Sequence, residues 1–221
     1  MSQCLSVAMG SIEMSLSNNR MVAETMARGV EAIQRQAVKG DQTASDWDAA
    51  AYQEILTSFV GSNPETFGGG IWFEPYQYRP EQRYFSPYCM RQNGAVTYVD
   101  NYSLGEGVYY TDQDWYTNAA NTTQKSVWSA PYYDEFAQIS MVTSSAPIYD
   151  ETGRLLGVAT ADIDLTQMQQ MVLSLDVVAN GRAFLIDDTG VYIADEDSEK
   201  LLSANILEDD NPSFAALGRQ I

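Results

Sequence analysis

The chain of 221 residues contains no histidine, and that absence removes whole classes of chemistry. Imidazole-ligated metal sites, histidine general bases and Ser-His triads are all excluded. Cationic side chains are scarce as well: 12 Lys and Arg stand against 30 Asp and Glu, a formal net charge of −18. Nucleic acid or an anionic membrane surface is repelled by such a surplus, whereas small cations are concentrated by it. Cysteine is confined to Cys4 and Cys89. One falls in an expected helix and the other in an expected strand, so two unpaired buried thiols are expected rather than a disulfide. No apolar run reaches the roughly 18 residues of a membrane span. The N-terminus also lacks the basic lead and apolar core of a secretion signal.

What is present suffices for a real core, with 45% hydrophobic residues and room for one or two domains. Leu5, Met9, Ile12, Leu16, Asn19, Ala23, Met26, Val30, Ile33 and Ala37 recur at spacings of four and three, the seam of one long helix ending near Lys39-Gly40. No capping residue with a hydrophobic lead-in precedes it, so the expectation is of an excised ectodomain whose membrane segments lie outside the sequence. The seam is expected to pack on its own domain, with a homodimeric coiled coil as the other reading. A second helix is expected from Ser45, presenting Tyr52, Ile55, Leu56 and Phe59 on one face.

From Gly68 the period shortens to that of strands. Gly70–Phe73, Arg83–Met90 and Val96–Asn101 read as strands, and Met141–Ile148 and Leu155–Asp164 as a hairpin about Asp150-Glu151-Thr152-Gly153. A helix at Trp115–Ala120 interrupts them, and Gln167–Val178 reads as a connecting helix. The pattern predicts an α+β fold with a mostly antiparallel sheet. A further strand pair is expected between Gly181 and Ala194, across Asp187-Asp188-Thr189-Gly190.

Three spaced elements stand in order within 112–165: Asp114-Trp115-Tyr116, then Trp128-x-x-Pro131-Tyr132-x-Asp134, then Gly157-Val158-x-x-x-Asp162-Ile163-Asp164-Leu165. Together they resemble the double Cache (dCache) sensor domains of prokaryotic chemoreceptors and sensor histidine kinases, over residues 2–194. The resemblance implies a long signal helix (1–40), a membrane-distal PAS-like Cache module (41–165), a connecting helix (166–180) and a second, incomplete PAS-like module (181–221). It further implies an extracytoplasmic, periplasmic or cell-surface location.

The candidate ligand-binding residues are Trp72, Tyr110, Gln113, Trp115, Tyr116, Trp128, Tyr132, Asp134 and Asp162. Asp162 shares an expected strand face with Leu156, Val158 and Thr160, where an uncompensated carboxylate is costly, so a ligand ammonium is its natural partner. The resemblance gives the same role to this position. Asp134 reads either as a turn aspartate bonding its own backbone or as a second acceptor for the ammonium. The aromatic residues read either as core or as rings holding a cation. Trp72 points away from Ile71 and Phe73 if its strand is regular. Asp164, three residues before Gln167 at a helix start, reads as a cap rather than a site residue.

One departure bears on the ligand. Amino-acid-binding relatives carry an arginine where this sequence has Gln113, and a tyrosine where it has Val108, beside Tyr109 and Tyr110. Glutamine cannot supply the charged bidentate fork of arginine. The expected ligand is therefore a small amine, betaine-like or amino-acid-derived compound, unless Arg91 or Lys125 folds into the site. No cofactor, metal or catalytic residue is expected, and no enzymatic activity. The alternatives are a hydrolase using Asp134 and Asp162, or a ligand-free dimerisation module.

Overall fold

The computed structural model describes residues 3–39, 49–100, 102, 107–175 and 182–220. Gly40 and Ser45, the expected end of the first helix and start of the second, lie outside the described residues, as do the side chain of Cys4 and residues 176–178 of the connecting helix. Contacts divide the chain into two compact units. One comprises residues 15–129 and 143–163; the other comprises 1–14, 130–142 and 164–221.

Helix α1 spans Gln3–Lys39 without interruption, a length of about 55 Å at 1.5 Å per residue. Its seam is buried only in part. Asn19, Ala23, Met26 and Val30 are fully enclosed, whereas Met9 is 46% exposed. Helix α2 (Ala49–Ser62) buries Tyr52, Leu56 and Val60. Both helices pack on one face of an antiparallel sheet.

The strands are β1 (Gly68–Phe73), β2 (Tyr88–Gln92), β3 (Ala95–Val99), β4 (Val127–Trp128), β5 (Tyr132–Asp134), β6 (Ile139–Tyr149) and β7 (Leu155–Asp164). The sheet order is β3-β2-β1-β7-β6-β4, and β5 pairs with β6. Helix α3 (Asp114–Ala120) interrupts the strands as expected. This is the long helix and PAS-like antiparallel sheet anticipated from the period of the sequence.

The second strand departs from its expected range of Arg83–Met90. Pro87 has no N–H to give the ladder, so regular pairing with β1 begins only at Tyr88, opposite Gly70. The preceding segment meets the end of β1 through isolated bonds, such as Phe73 N–H to the Phe85 carbonyl at 3.1 Å. Its Phe85 ring turns into the core.

The helix side of the sheet is close-packed and apolar. Ile71, Phe73, Cys89, Ala146, Ile148, Ala159 and Ala161 meet Val22, Met26, Val30, Leu56 and Val60. Each large aliphatic side chain so enclosed contributes about 1.5–3 kcal/mol. Leu156 belongs to this cluster too, not to the face of Asp162 where regular alternation put it. Two polar pairs lie in the same layer. Thr66 Oγ1 donates to Asn19 Oδ1 at 2.9 Å, and Gln34 Nε2 donates to the Tyr52 hydroxyl at 3.3 Å.

After β7, Asp164 caps helix α4 (Leu165–Leu173), its Oδ1 accepting from Thr166 N–H at 2.8 Å. This is the role the sequence assigned to it. Strands β8 (Leu185–Ile186) and β9 (Tyr192–Ala194) pair antiparallel across the expected Asp187–Gly190 turn. A short helix α5 (Pro212–Gly218) follows, with Asn211 as its cap. In this region the Arg182 guanidinium bonds the buried Asp195, and Lys200 meets Asp209 at 2.6 Å.

Candidate functional site

Alternation along β1 sends Ile71 and Phe73 to the helices and leaves Gly68, Gly70 and Trp72 on the opposite face. Antiparallel pairing sets Gly68 opposite Asp162, Gly70 opposite Thr160 and Trp72 opposite Val158. On the other flank of β1, Gly70 lies opposite Tyr88. The glycines leave room on this face that the Tyr88 and Trp72 side chains fill. A Cβ on Gly68 would run into the Tyr88 hydroxyl, and one on Gly70 would meet the Trp72 indole at 2.7 Å. The run Gly68-Gly69-Gly70 was the sequence signal for this close approach of rings to the sheet.

Asp162 is only 3% exposed. The Tyr88 hydroxyl donates to its Oδ2 at 2.7 Å and the Thr143 hydroxyl to its Oδ1 at 2.8 Å. Neither donor carries a charge. Thr160 accepts from Trp72 Nε1 at 2.8 Å and from Gly70 N–H at 3.2 Å, which locks the indole on the sheet. Around Trp72 stand Trp115, Tyr102, Tyr110 and Tyr88, with ring centroids 4.7, 5.3, 5.5 and 5.8 Å away. A fixed carboxylate beside electron-rich ring faces is an arrangement suited to an organic cation.

The proposed residues are thus partly gathered and partly dispersed. Trp72, Tyr110 and Trp115 share one aromatic cluster on the face of Asp162, and the Tyr116 ring packs on its edge, 5.6 Å from Tyr110 and 6.1 Å from Trp115. The Tyr110 hydroxyl, however, is committed to the Phe73 carbonyl at 2.5 Å. Tyr116 is buried, and its hydroxyl donates to Glu74 Oε1 at 2.6 Å. Glu74 follows β1 at the end opposite Gly68, so this bond lies about 20 Å along the strand from Asp162. Burial first, and then the Glu74 carboxylate, push the Tyr116 hydroxyl above its ordinary range and keep it protonated. Those two residues line a separate open cavity of about 560 Å³ with Gln77, Thr111, Asn121 and Arg154.

Gln113 sits at the N-cap position just before α3, and its amide donates weakly to the Tyr109 carbonyl at 3.4 Å. Trp128 is half-buried opposite Ser144, a register position on the other side of the sheet from Thr143. Tyr132 and Asp134 occupy β5, within the unit that contains residues 130–142. There Asp134 is buried and its Oδ1 accepts from Ala137 N–H at 2.7 Å, the geometry of a turn aspartate. Arg91 binds the carbonyls of Val60, Asn63 and Thr66 at the C-terminal end of α2. Lys125 is exposed beside Glu24 and Glu31 of α1.

Sequence reasoning missed Tyr88, Tyr102, Thr143 and Thr160. Tyr88 and Asp162 are 74 residues apart, a pairing that no local pattern announces.

A long helix packed on a PAS-like antiparallel sheet, with a buried carboxylate and an aromatic cluster on the opposite face, is the architecture of a sensor module. The comparisons with known proteins agree: residues 52–170, more than half of the chain, match the methyl-accepting chemotaxis protein-like first PDC sensor domain, and the chain belongs to that family. Methyl-accepting chemotaxis protein McpA of Pseudomonas putida is 24% identical over 208 residues, 91% of this chain and 31% of that protein. The chain spans 13–31% of the length of the curated chemoreceptors it matches. Among solved structures, the extracellular domain of the histidine kinase mmHK1S-Z3 is similar with TM-score 0.76 and 20% identity, over 96% of this chain and 75% of that one. The ligand-binding domain of the Campylobacter jejuni chemoreceptor Tlp3 in complex with L-valine is similar with TM-score 0.65 and 17% identity, again over 96% and 75%. The family is one of sensory regions, without enzymatic activity in this part of the receptor. Among the described residues, no helix is long and apolar enough to cross a membrane.

Proposed function

We propose that this chain is the extracytoplasmic ligand-binding region of a transmembrane receptor and that it senses a small amine through Asp162. The observation that carries the reading is the carboxylate itself, 3% exposed and oriented by two neutral hydroxyls beside the Trp72 ring cluster. Attraction to each ring face adds about 0.5–2 kcal/mol for a desolvated ammonium. The Tlp3 complex with L-valine supports the same class, since valine carries an ammonium group. Gln113 stands where a charged clamp for a ligand carboxylate was expected, which favours amines and amino-acid derivatives over free amino acids.

Signalling then follows from differential affinity. A ligand preferring one arrangement of the β1–β7 pair biases whatever is joined to it by no more than that preference. Two consecutive residues make the join to α1. Phe67 N–H donates to the Asp162 carbonyl at 2.8 Å, and the Thr66 hydroxyl donates to Asn19 in α1 at 2.9 Å. The test is calorimetric titration of the purified chain with small primary amines and their uncharged isosteres. Binding of amines that is abolished by Asp162→Asn supports the reading; equal binding of the uncharged isosteres overturns it.

A further inference from the structure

Strand β6 carries two adjacent serines, Ser144 and Ser145, both fully buried and both with hydroxyls that meet no hydrogen-bond partner. Their chemistry is the same and their directions are opposite. Ser144 lies between Thr143 and Ser145 and so points toward the side on which Ala146 and Ile148 join the helix-side core. Ser145 alternates with Thr143, whose hydroxyl donates to Asp162. It therefore lies on the face that carries Asp162 and the aromatic cluster, two residues along the strand from the carboxylate's own hydrogen-bonding partner, about 6.6 Å away.

A buried hydroxyl without a partner is disfavoured, and a native site retains one where something else completes it. The Ser145 environment also restricts what that something is. The strand residues on this face include Gly70, Trp72, Tyr88, Thr143, Thr160 and Asp162, with Val127 opposite Ser145, and none of these is a lysine or arginine. A second negative charge beside Asp162 would find no compensation on these strands, whereas a neutral oxygen needs only the hydroxyl.

Resting on the reading of Asp162 as the ammonium site, we propose that Ser145 is a specificity-determining residue that hydrogen-bonds an uncharged hydroxyl or carbonyl at the far end of the ligand. The ligand class is then a primary amine carrying a neutral polar group some four carbons from its nitrogen, an amino alcohol or amino amide. Ser145 selects among amines; Asp162 selects for them.

The test uses three probes of one carbon skeleton, n-butylamine, 4-amino-1-butanol and 4-aminobutanoate, titrated calorimetrically into the wild-type chain and into Ser145→Ala, Ser144→Ala and Asp162→Asn. The expected result is that wild type prefers the amino alcohol over butylamine by roughly threefold to tenfold, the worth of one hydrogen bond. Ser145→Ala should erase that preference while retaining butylamine affinity, which also reports that the variant is folded. Ser144→Ala should keep the preference intact. Equal affinities for the two probes in wild type, a preference that survives Ser145→Ala, or 4-aminobutanoate binding more tightly than the alcohol would each overturn the role of Ser145 while leaving the amine site standing. If no probe binds wild type, or if Asp162→Asn binds them all as well, both the amine site and this inference fall.

Discussion

The two faces of the central sheet are written on the same strands, in alternate residues, and have opposite characters. The helix side is built from Ile71, Phe73, Cys89, Ala159 and Ala161 and is closed by α1 and α2. The other side carries Gly70, Trp72, Tyr88, Thr160 and Asp162, with rings, hydroxyls and a carboxylate instead of aliphatic groups. One face gains stability from burial and needs no specific partner. The other keeps polar groups out of water in fixed orientations, an arrangement that burial alone does not favour. The comparison teaches that the sheet separates its tasks by residue parity. Mutations one position apart should therefore change different observables.

The largest effect is expected at Asp162. Asp162→Asn keeps an oxygen for one of the Tyr88 and Thr143 hydroxyls, while the other can turn to accept from the new amide NH2; it removes the charge and should weaken amine binding by about 2–5 kcal/mol. Its thermal melting should shift little, so titration and melting together separate the two faces. Loss of fold with retained affinity per folded molecule would break the comparison. On the other side, Leu56→Ala empties a fully buried position in α2. It should cost about 2–5 kcal/mol of stability in denaturant unfolding. The preference among amine probes should be unchanged; a changed preference means that the two faces are coupled.

A smaller effect is expected two residues beyond Asp162. Asp164→Ala removes the cap of α4 and should lower stability by about 0.5–2 kcal/mol while sparing binding. Asp162 and Asp164 are the same residue type on the same strand. Opposite outcomes for them are the most direct check of the division argued here.

The smallest effect concerns the hairpin that joins β6 to β7 and so supplies both faces. The Thr152 hydroxyl, the Arg154 and Thr152 backbone N–H groups and the Arg154 side chain hold the Asp150 carboxyl down at about 2, below its ordinary 3.8. A depressed folded value means that this contribution is fully present above pH about 4 and is lost as pH falls through 2. Asp150→Asn should flatten the corresponding part of the melting temperature against pH curve. Melting and amine affinity should decline together there, since one hairpin carries both faces; an effect on only one would count against that account.

Much of this architecture was legible before the fold was known, for reasons that differ by element. The 3.6-residue seam around Ala23, Met26 and Val30 announced α1, and the period of two announced that Trp72 and Ile71 would part company. The separate roles of Asp162 and Asp164 followed from one lying within a strand and the other at a helix start. Less could be read of the site. Tyr116 and Trp128 are the same kinds of residue as Tyr110 and Trp72. Yet Tyr116 turns its hydroxyl to Glu74, while Trp128 lies across from Ser144. Tyr88 and Thr143 looked like ordinary strand residues until pairing brought them to Asp162. Pro87 displaced β2 from its expected start, an effect local chemistry could have foretold but the apolar pattern hid.

The sequence by itself determined the absence of imidazole chemistry, the acidic surplus, the long helix, the parity of each strand and the cap at Asp164. These follow from composition or from the geometry of a few neighbouring residues. Only the tertiary structure decided which hydroxyls hold Asp162, which rings surround Trp72 and which of two adjacent serines shares the face of Asp162. Those contacts join residues as much as 74 apart, as Tyr88 and Asp162 are. They depend on strand register, and register is settled by the packing of the whole sheet against its helices.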